Sequence, residues 1–311
     1  MAGQLVDKIR FIPSDELIPE YVMGAMSEIQ DWGLLMMGVP EAHKHTRGRG
    51  VRVAVLDTGA AEHLDLEGNV ETAWNTSGSD TAIDRAGHGT HVSGIVAALS
   101  NGFGVVGVAP EATIVPIKVL DDSGHSGFSA IERGIRKATE LGVDIINMSL
   151  GSPVSPPGSL YQAIQEAASR GIIIVAAAGN DAGAINYPAI YPEVIAVGAI
   201  DKQGHLAKTS SRGEKMHIVA PGVDIYSTYL ENRYALLSGT SQAAPVISGL
   251  CALIIAWTRI TPGVRPVQDV QDMLKRLDDM SDNDGRVTLP DGEHKISFGV
   301  PRFLNDMPWL L

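Results

Sequence analysis

Residues 53–59 read Val-Ala-Val-Leu-Asp-Thr-Gly: four apolar residues without a break, an acid, then a Thr-Gly turn. The run has the near-continuous hydrophobicity of a strand buried on both faces, not the alternation of a sheet with one wet side. Asp57, at its end, stands where an open α/β sheet presents ligands and side chains. Similar Val- and Ile-rich runs recur at 113–119, 143–148, 172–178 and 194–200. Helical patterns lie between them, at 91–99, at 126–141 (Phe128, Ile131, Ile135, Ala138 and Leu141 at spacings of three and four) and at 159–170. This alternation predicts an α/β fold: a doubly wound, mostly parallel sheet with helices on both faces and right-handed crossovers.

The chain has 311 residues, enough for one large α/β domain that buries roughly three quarters of its unfolded surface. Its 34 glycines and only 5% aromatics favour tight turns and small-residue packing over an aromatic binding surface. A net charge of -12 repels a phosphate backbone, so no nucleic acid is expected as a partner. Cys251, the lone cysteine, lies in an apolar run and reads as a small hydrophobe. No run reads as the ~18 apolar residues of a membrane span, and the first residues lack the apolar core of a signal peptide. The expectation is therefore no membrane partner and a cytoplasmic location; a secreted chain with its leader removed would read the same. Pro13 and Pro19 break the first residues, 266–280 reads as an amphipathic helix, and 281–294 is polar and turn-rich. The chain thus divides into an N-terminal extension at 1–25, one main domain at 26–280 and a C-terminal extension at 281–311.

Three segments carry the chemistry. The first is the strand ending in Asp57. The second, Gly87-His-Gly-Thr-His-Val-Ser-Gly94, places a glycine-flanked His88 at the start of a helix. The third, Ser238-Gly-Thr-Ser-Gln-Ala-Ala-Pro245, opens a long helix with Ser241 among small residues, and Pro245 is expected in its first turn. A carboxylate can accept from an imidazole and fix its tautomer, while a helix N-terminus favours negative charge developing at a serine. Alone, each residue reads more simply: a turn acid, a structural histidine, an N-cap serine. Their conjunction overturns those readings.

In the chain order Asp57, His88, Ser241 these motifs resemble the subtilisin (subtilase) family of serine endopeptidases, over roughly residues 30 to 260. The resemblance implies Ser241 as nucleophile, His88 as general base and Asp57 as its orienter, acting on protein or peptide substrates through an acyl-enzyme. It implies that His91 is structural, and His43, His45, His63 and His125 read as solvated loop residues. Asn180, at the end of residues 172–180, resembles the oxyanion donor, with the Ser241 N–H as second donor. Ser149, Leu150 and Gly151 resemble the strand that pairs with an extended peptide. Ala177 and Gly179 would wall the S1 pocket with Asn186 near its base; Gly124 and Phe128 would belong to the opposite edge strand, Phe128 lining S4. Broad specificity follows, with some preference for large apolar or polar residues before the scissile bond.

The resemblance further implies Ca2+ as cofactor. Asp65 and Asn101 would give side-chain oxygens, and Leu99, Phe103 and Val105 carbonyls, a donor set that suits a hard cation. An N-terminal ligand would come from Glu28 or Gln30, and His217 stands where the family's weaker cation site often has an acid. The Gly102-x-Gly-x-x-Gly107 pattern follows a helix rather than a strand and is not a dinucleotide fingerprint. An esterase elbow is likewise missing, since the segment reads Gly-Thr-Ser-Gln-Ala. Gln242 stands where many relatives have Met. The extension contains Phe11-Ile-Pro13 and Leu17-Ile-Pro-Glu-Tyr21, similar to the element with which the intracellular subtilisins of bacilli block their own cleft. The expectation is a self-inhibited precursor whose N-terminal segment is a cleft inhibitor. The apolar tail at 301–311 is expected to be an interface arm of a homodimer. The competing reading is a catalytically silent peptide-binding protein on the same scaffold, which the intact Asp57, His88, Asn180 and Ser241 argue against.

Overall fold

The computed structural model of the protein describes residues 27–281 and 300–301, together with the backbone of Lys8–Phe11, Val287–Thr288 and Lys295–Ile296. The expectations placed on Ile12-Pro13, on 17–21 and on the tail from 302 onward fall outside the described residues.

In chain order the first elements are β1 (Lys8–Phe11), α1 (Trp32–Met36), α2 (Val39–Ala42), β2 (Arg52–Asp57), β3 (Trp74–Asn75), α3 (His88–Ala97) and β4 (Thr113–Lys118). Next come β5 (His125–Gly127), α4 (Phe128–Leu141), β6 (Ile145–Met148), β7 (Leu150–Gly151), α5 (Gly158–Ser169), β8 (Ile173–Ala177) and β9 (Val194–Ile200). The described domain closes with β10 (Ile218–Pro221), β11 (Ile225–Tyr229), β12 (Arg233–Leu237), α6 (Thr240–Ile260) and α7 (Val270–Asp279).

The main sheet has seven strands in the order β10-β9-β8-β6-β2-β4-β3, every pair parallel. Its central strands are buried almost throughout, as their unbroken apolar runs require. The chain steps from β2 through α3 to β4, then reverses through α4 to β6 and onward through α5 to β8. Right-handed crossovers therefore put α3 on one face and α4 and α5 on the other. The contacts agree, because α3 packs on α6 and α4 on α5. The loops leaving β2 and β6 depart to opposite faces, which opens a crevice at their C-terminal ends. Asp57 ends β2 at that crevice, and Ser149 follows β6 there.

Three details refine or correct the sequence reading. α3 begins at His88, as the motif places it and ahead of the periodic run at 91–99, because Gly87 takes the left-handed conformation (φ 89°) that lets the helix open directly at the histidine. α7 starts at Val270 rather than near Pro266, since Asp269 caps it by accepting the Asp272 N–H at 2.9 Å. α6 is long and apolar enough to cross a membrane, contrary to the reading that no stretch is. Of that stretch 89% is buried inside the domain, where α6 is the core helix packed on β6, β8, β9 and β10.

A second, three-stranded sheet lies outside the main one. β1 sits between β5 and β7, antiparallel to both, with Lys8 opposite Gly127, Ile9 opposite Ser126, Arg10 opposite His125 and Gly151, and Phe11 opposite Leu150. The β11–β12 hairpin is antiparallel and packs through β11 on α3.

The packing of α6 makes one substitution informative. A Cβ on Gly249 would lie 2.5 Å from the Val108 Cβ, which is fixed to the backbone and cannot swing away. Gly to Ala in a helix gains about 1 kcal/mol of propensity, but overpacking a close contact costs about 1–3 kcal/mol. Gly249→Ala is therefore expected to destabilise the domain, read as a lower denaturation midpoint with an unchanged slope.

Candidate active site

Asp57 is fully buried at the end of β2, and its Oδ1 accepts from the Thr58 N–H and from His88 Nδ1, both at 2.7 Å. An ionised carboxylate only accepts, so His88 carries its proton on Nδ1 and presents Nε2 as the basic nitrogen. The backbone around the pair leaves no room for side chains. A Cβ on Gly89 would lie 2.1 Å from the Gly59 carbonyl, and one on Gly87 would lie 2.4 Å from the Tyr229 ring.

A second buried acid, absent from the sequence reading, holds the loop that carries His88. Asp84 Oδ1 accepts from Thr58 Oγ1 and from the N–H groups of Ala86 and Gly87, each at 2.9 Å. Its Oδ2 accepts from the Thr90 N–H (2.8 Å) and Thr90 Oγ1 (2.7 Å). Lys118, also fully buried, donates to the Thr58 carbonyl at 2.6 Å and to Asp122 at 2.7 Å. An acid among turn residues and a lysine ending a strand have plain readings in a sequence, so no local signal marks them. Burial alone would push the His88 pKa down, but the Asp57 charge and hydrogen bond, with Asp84 behind them, outweigh it and raise the value.

Ser241 is the second residue of α6 and almost fully buried, with Oγ donating to the Ser149 carbonyl at 3.1 Å. Asn180 is anchored to the same helix start. Its Oδ1 accepts from the Thr240 N–H at 2.9 Å and from Thr240 Oγ1 at 3.0 Å, which turns Nδ2 to the Gly239 side. Thr240 was not singled out in the sequence, yet it orients the amide. Pro245 is not in the first turn as expected. It lies five residues beyond Thr240, inside the helix, and the Ser241 carbonyl is met by Ser149 Oγ at 2.8 Å.

The peptide-groove candidates fall into two groups. Leu150 and Gly151 form β7, with Ser149 just before them. The opposite strand is shorter than expected: β5 spans His125–Gly127, Gly124 lies in the preceding turn (φ 75°), and Phe128 is the buried first residue of α4. Ala177 ends β8, and Gly179 (φ 123°) abuts Asn186, whose Nδ2 would lie 2.7 Å from a Cβ there. Ala177, Gly179 and Asn186 are thus one cluster.

Among the expected cation ligands, Asp65 is fully buried. Its Oδ2 accepts from the Val105 N–H and the Tyr234 hydroxyl, each at 2.8 Å, and Oδ1 accepts from Asn101 Nδ2 at 3.0 Å. Of Glu28 and Gln30, it is Glu28 that reaches the loop, accepting from the Gly102 N–H (3.1 Å) and Ser100 Oγ (3.2 Å). Among the described residues no lysine or arginine pairs with Asp65 or Glu28. Two carboxylates that reach the oxygen-rich 99–105 loop without a lysine or arginine partner fit a hard divalent cation. Among the described residues no group of three or more His, Cys, Asp and Glu side chains gathers, so carbonyls would have to complete the set. His217 Nδ1 accepts from the Ala196 N–H at 3.1 Å, and burial lowers the ring's pKa.

The other histidines divide. His91 is fully buried, with Nε2 against the carbonyls of Ile225 (3.1 Å) and Ala235 (3.0 Å), and burial lowers its pKa to about 3; it ties α3 to the hairpin. His63 is buried rather than solvated, because Nε2 bonds the Arg233 carbonyl at 2.9 Å and its ring lies edge-on to Tyr234. His43 is half-buried through its bond to the Val108 carbonyl. Burial pushes the Cys251 thiol up, as suits an inert core residue.

A model of the subtilase family of peptidases matches residues 48–277. The chain is 43% identical over 252 residues to the M-protease of Shouchella clausii, an alignment covering 80% of this chain and 66% of that protein, just under two thirds. It is 46% identical over 225 residues to Subtilisin Savinase of Lederbergia lenta, covering 72% of this chain and 83% of the relative. To the Intracellular serine protease of Paenibacillus polymyxa it is 42% identical over 252 residues, covering 76% and 77%.

The His88 environment has a measurable consequence. Its ring is expected to titrate above the ordinary histidine value of 6.5, so it is neutral above that raised pKa and charged below it. In Asp57→Asn the raising charge is gone and burial dominates, so the midpoint should fall below 6.5, read by histidine ring NMR.

Proposed function

The chain belongs to the subtilase family, and from that premise we propose that it is a serine endopeptidase of broad specificity with Ser241, His88 and Asp57 as its triad. The observation that carries this reading is the buried 2.7 Å bond from His88 Nδ1 to Asp57, which fixes the tautomer a general base needs. Ser241 Oγ attacks the peptide carbonyl carbon and His88 Nε2 takes its proton. The carbonyl oxygen becomes an oxyanion, met by Asn180 Nδ2 and the Ser241 N–H at the positive end of α6. Collapse breaks the C–N bond, His88 returns the proton to the leaving amine, and water then hydrolyses the acyl-Ser241 ester by the same proton relay. Extended substrate backbone pairs between β5 and Ser149-Leu150-Gly151, with Phe128 at the far end. The preceding side chain enters a pocket walled by Ala177 and Gly179 over Asn186, whose small walls and polar base tolerate varied residues.

The N-terminal extension is read as a cleft inhibitor. The support is the pairing of Lys8–Phe11 with both β5 and β7, the place an extended substrate would take. This favours the Phe11-Ile-Pro13 element over Leu17-Ile-Pro-Glu-Tyr21. Pro13, without an N–H and with a fixed φ, would keep a cleavable bond out of register with Ser241. The Paenibacillus relative's name, Intracellular serine protease, supports a cytoplasmic location. A homodimer through the 301–311 tail is part of the same reading.

When bound, Ca2+ would cross-link the start of the domain to the 99–105 loop, held by Glu28, Asp65, Asn101 and the carbonyls of Leu99, Phe103 and Val105.

The tests are direct. A fluorophosphonate probe should label Ser241 in a chain beginning at Met26, faster than in the full chain. Labelling elsewhere would sink the triad, and equal rates with equal peptide hydrolysis would sink the inhibitor role. Chelation should lower the melting temperature of the full chain, and Asp65→Ala should make it insensitive to chelator; an unchanged melt in the parent chain would remove calcium from the account.

A further inference from the structure

α6 contains a residue that cannot make its own helix bond. Pro245 has no N–H to give the carbonyl four residues back, which is that of Ser241. Ser241 is 1% exposed, so water hardly reaches it, and a buried carbonyl without a donor is costly.

Ser149 supplies a donor. Its Oγ lies 2.8 Å from the Ser241 carbonyl oxygen. The hydroxyl has one proton, and the groups behind it decide where that proton points. Asn147 Nδ2 donates to Ser149 Oγ at 3.0 Å, and Ser248 Oγ donates to Asn147 Oδ1 at 2.8 Å. Asn147 therefore approaches as a donor, and the Ser149 proton is directed to Ser241. The chain of bonds from Ser248 through Asn147 and Ser149 to Ser241 runs in one sense, each member polarising the next. Asn147, Ser149 and Ser248 are all 0% exposed, so the orientation is not shared with solvent. The return contact, Ser241 Oγ to the Ser149 carbonyl at 3.1 Å, clasps the two serines backbone to side chain in both directions.

We propose that the Ser149 hydroxyl is a positioning group for Ser241, replacing the helix bond that Pro245 removes and thereby fixing the peptide plane that follows the nucleophile. This role is separate from the pairing of the Ser149 backbone with a substrate, and it rests on the reading of Ser241 as the nucleophile. Without the hydroxyl, the Ser241 carbonyl turns to seek another donor, and the direction of Oγ turns with it.

The account makes an unusual demand: a second substitution should repair the first. Alanine at 245 restores an N–H at the position the helix needs, which makes the Ser149 hydroxyl redundant. Ser149→Ala, Pro245→Ala and the double variant are compared with the parent chain, each in the form, full-length or processed, in which the parent hydrolyses peptides. Ser149→Ala should lose about tenfold in kcat with KM within about twofold, the rate equivalent of one hydrogen bond's net worth. Its melting temperature should also drop. The double variant should regain most of both losses. An unchanged kcat in Ser149→Ala, or a double variant no better than the product of the two singles, overturns the proposal. If Ser149→Ala does not fold, the double variant is compared with Pro245→Ala alone: equal kcat is expected, since the hydroxyl is then redundant, and a tenfold loss or a double variant that does not fold overturns the proposal. Should the parent hydrolyse nothing in any form, the endopeptidase reading fails instead, while the melting rescue still reports on the bond.

Discussion

The site depends on one 2.7 Å hydrogen bond between two buried side chains, Asp57 and His88. A buried carboxylate has to be compensated, and one partner rarely suffices. Here the compensation is spread. Asp57 takes the Thr58 N–H as well as the imidazole, and the ammonium of Lys118 is held against the Thr58 carbonyl one residue away. Asp84, which would otherwise add an unbalanced second charge, accepts five donors from the Thr58 side chain and the loop from Ala86 to Thr90. The same contacts that neutralise Asp84 draw the His88 loop over the end of β2. Electrostatic compensation and geometric placement are thus the same set of bonds.

Close packing does the remaining placement. Gly89 lies so near the Gly59 carbonyl that no side chain could be added, and this proximity sets the helix start against the strand end. At Ser241 the solution is different. Pro245 removes one bond inside the helix, and the hydroxyl of Ser149, just after β6, meets the carbonyl left without it. Both His88 and Ser241 are therefore fixed from the crevice where the β2 and β6 loops part, and not by their own helices alone.

What the sequence revealed follows from the range of each interaction. The central strands were legible because both faces are buried, so every position carries the signal. The β11–β12 hairpin was not, since Ser227 and Thr228 look polar; in the fold their hydroxyls donate to the His91 and Thr90 carbonyls, and both residues are buried. Asp57, His88, Asn180 and Ser241 stood out through motifs that are contiguous in sequence. Lys118, Thr240 and the Ser149 hydroxyl did not, because each works through a contact many residues distant; Asp84, bonded mostly to Ala86, Gly87 and Thr90, did not because an acid among turn residues has a plainer local reading. His63 was misread for the same reason, its burial coming from Arg233 and Tyr234 far along the chain.

The groove follows from the sheet geometry. Because β1 is antiparallel to both β5 and β7, those two edges are parallel to each other and stand one strand apart. Unpaired edges of this kind recognise backbone before side chains, since N–H and C=O groups are what they leave unsatisfied. On the proposed reading, tolerance of many sequences would follow, and so would vulnerability to an extended segment of the same chain. A tethered segment acts at an effective concentration of order mM when its linker spans the distance. Weak pairing over a few residues then suffices to exclude a dilute free peptide, with no tight side-chain pockets needed. If this groove is the proposed peptide site, broad specificity and pairing with Lys8–Phe11 would be one property. On the proposed reading, the features that would let the cleft accept varied extended peptides would also let it accept the segment Lys8–Phe11.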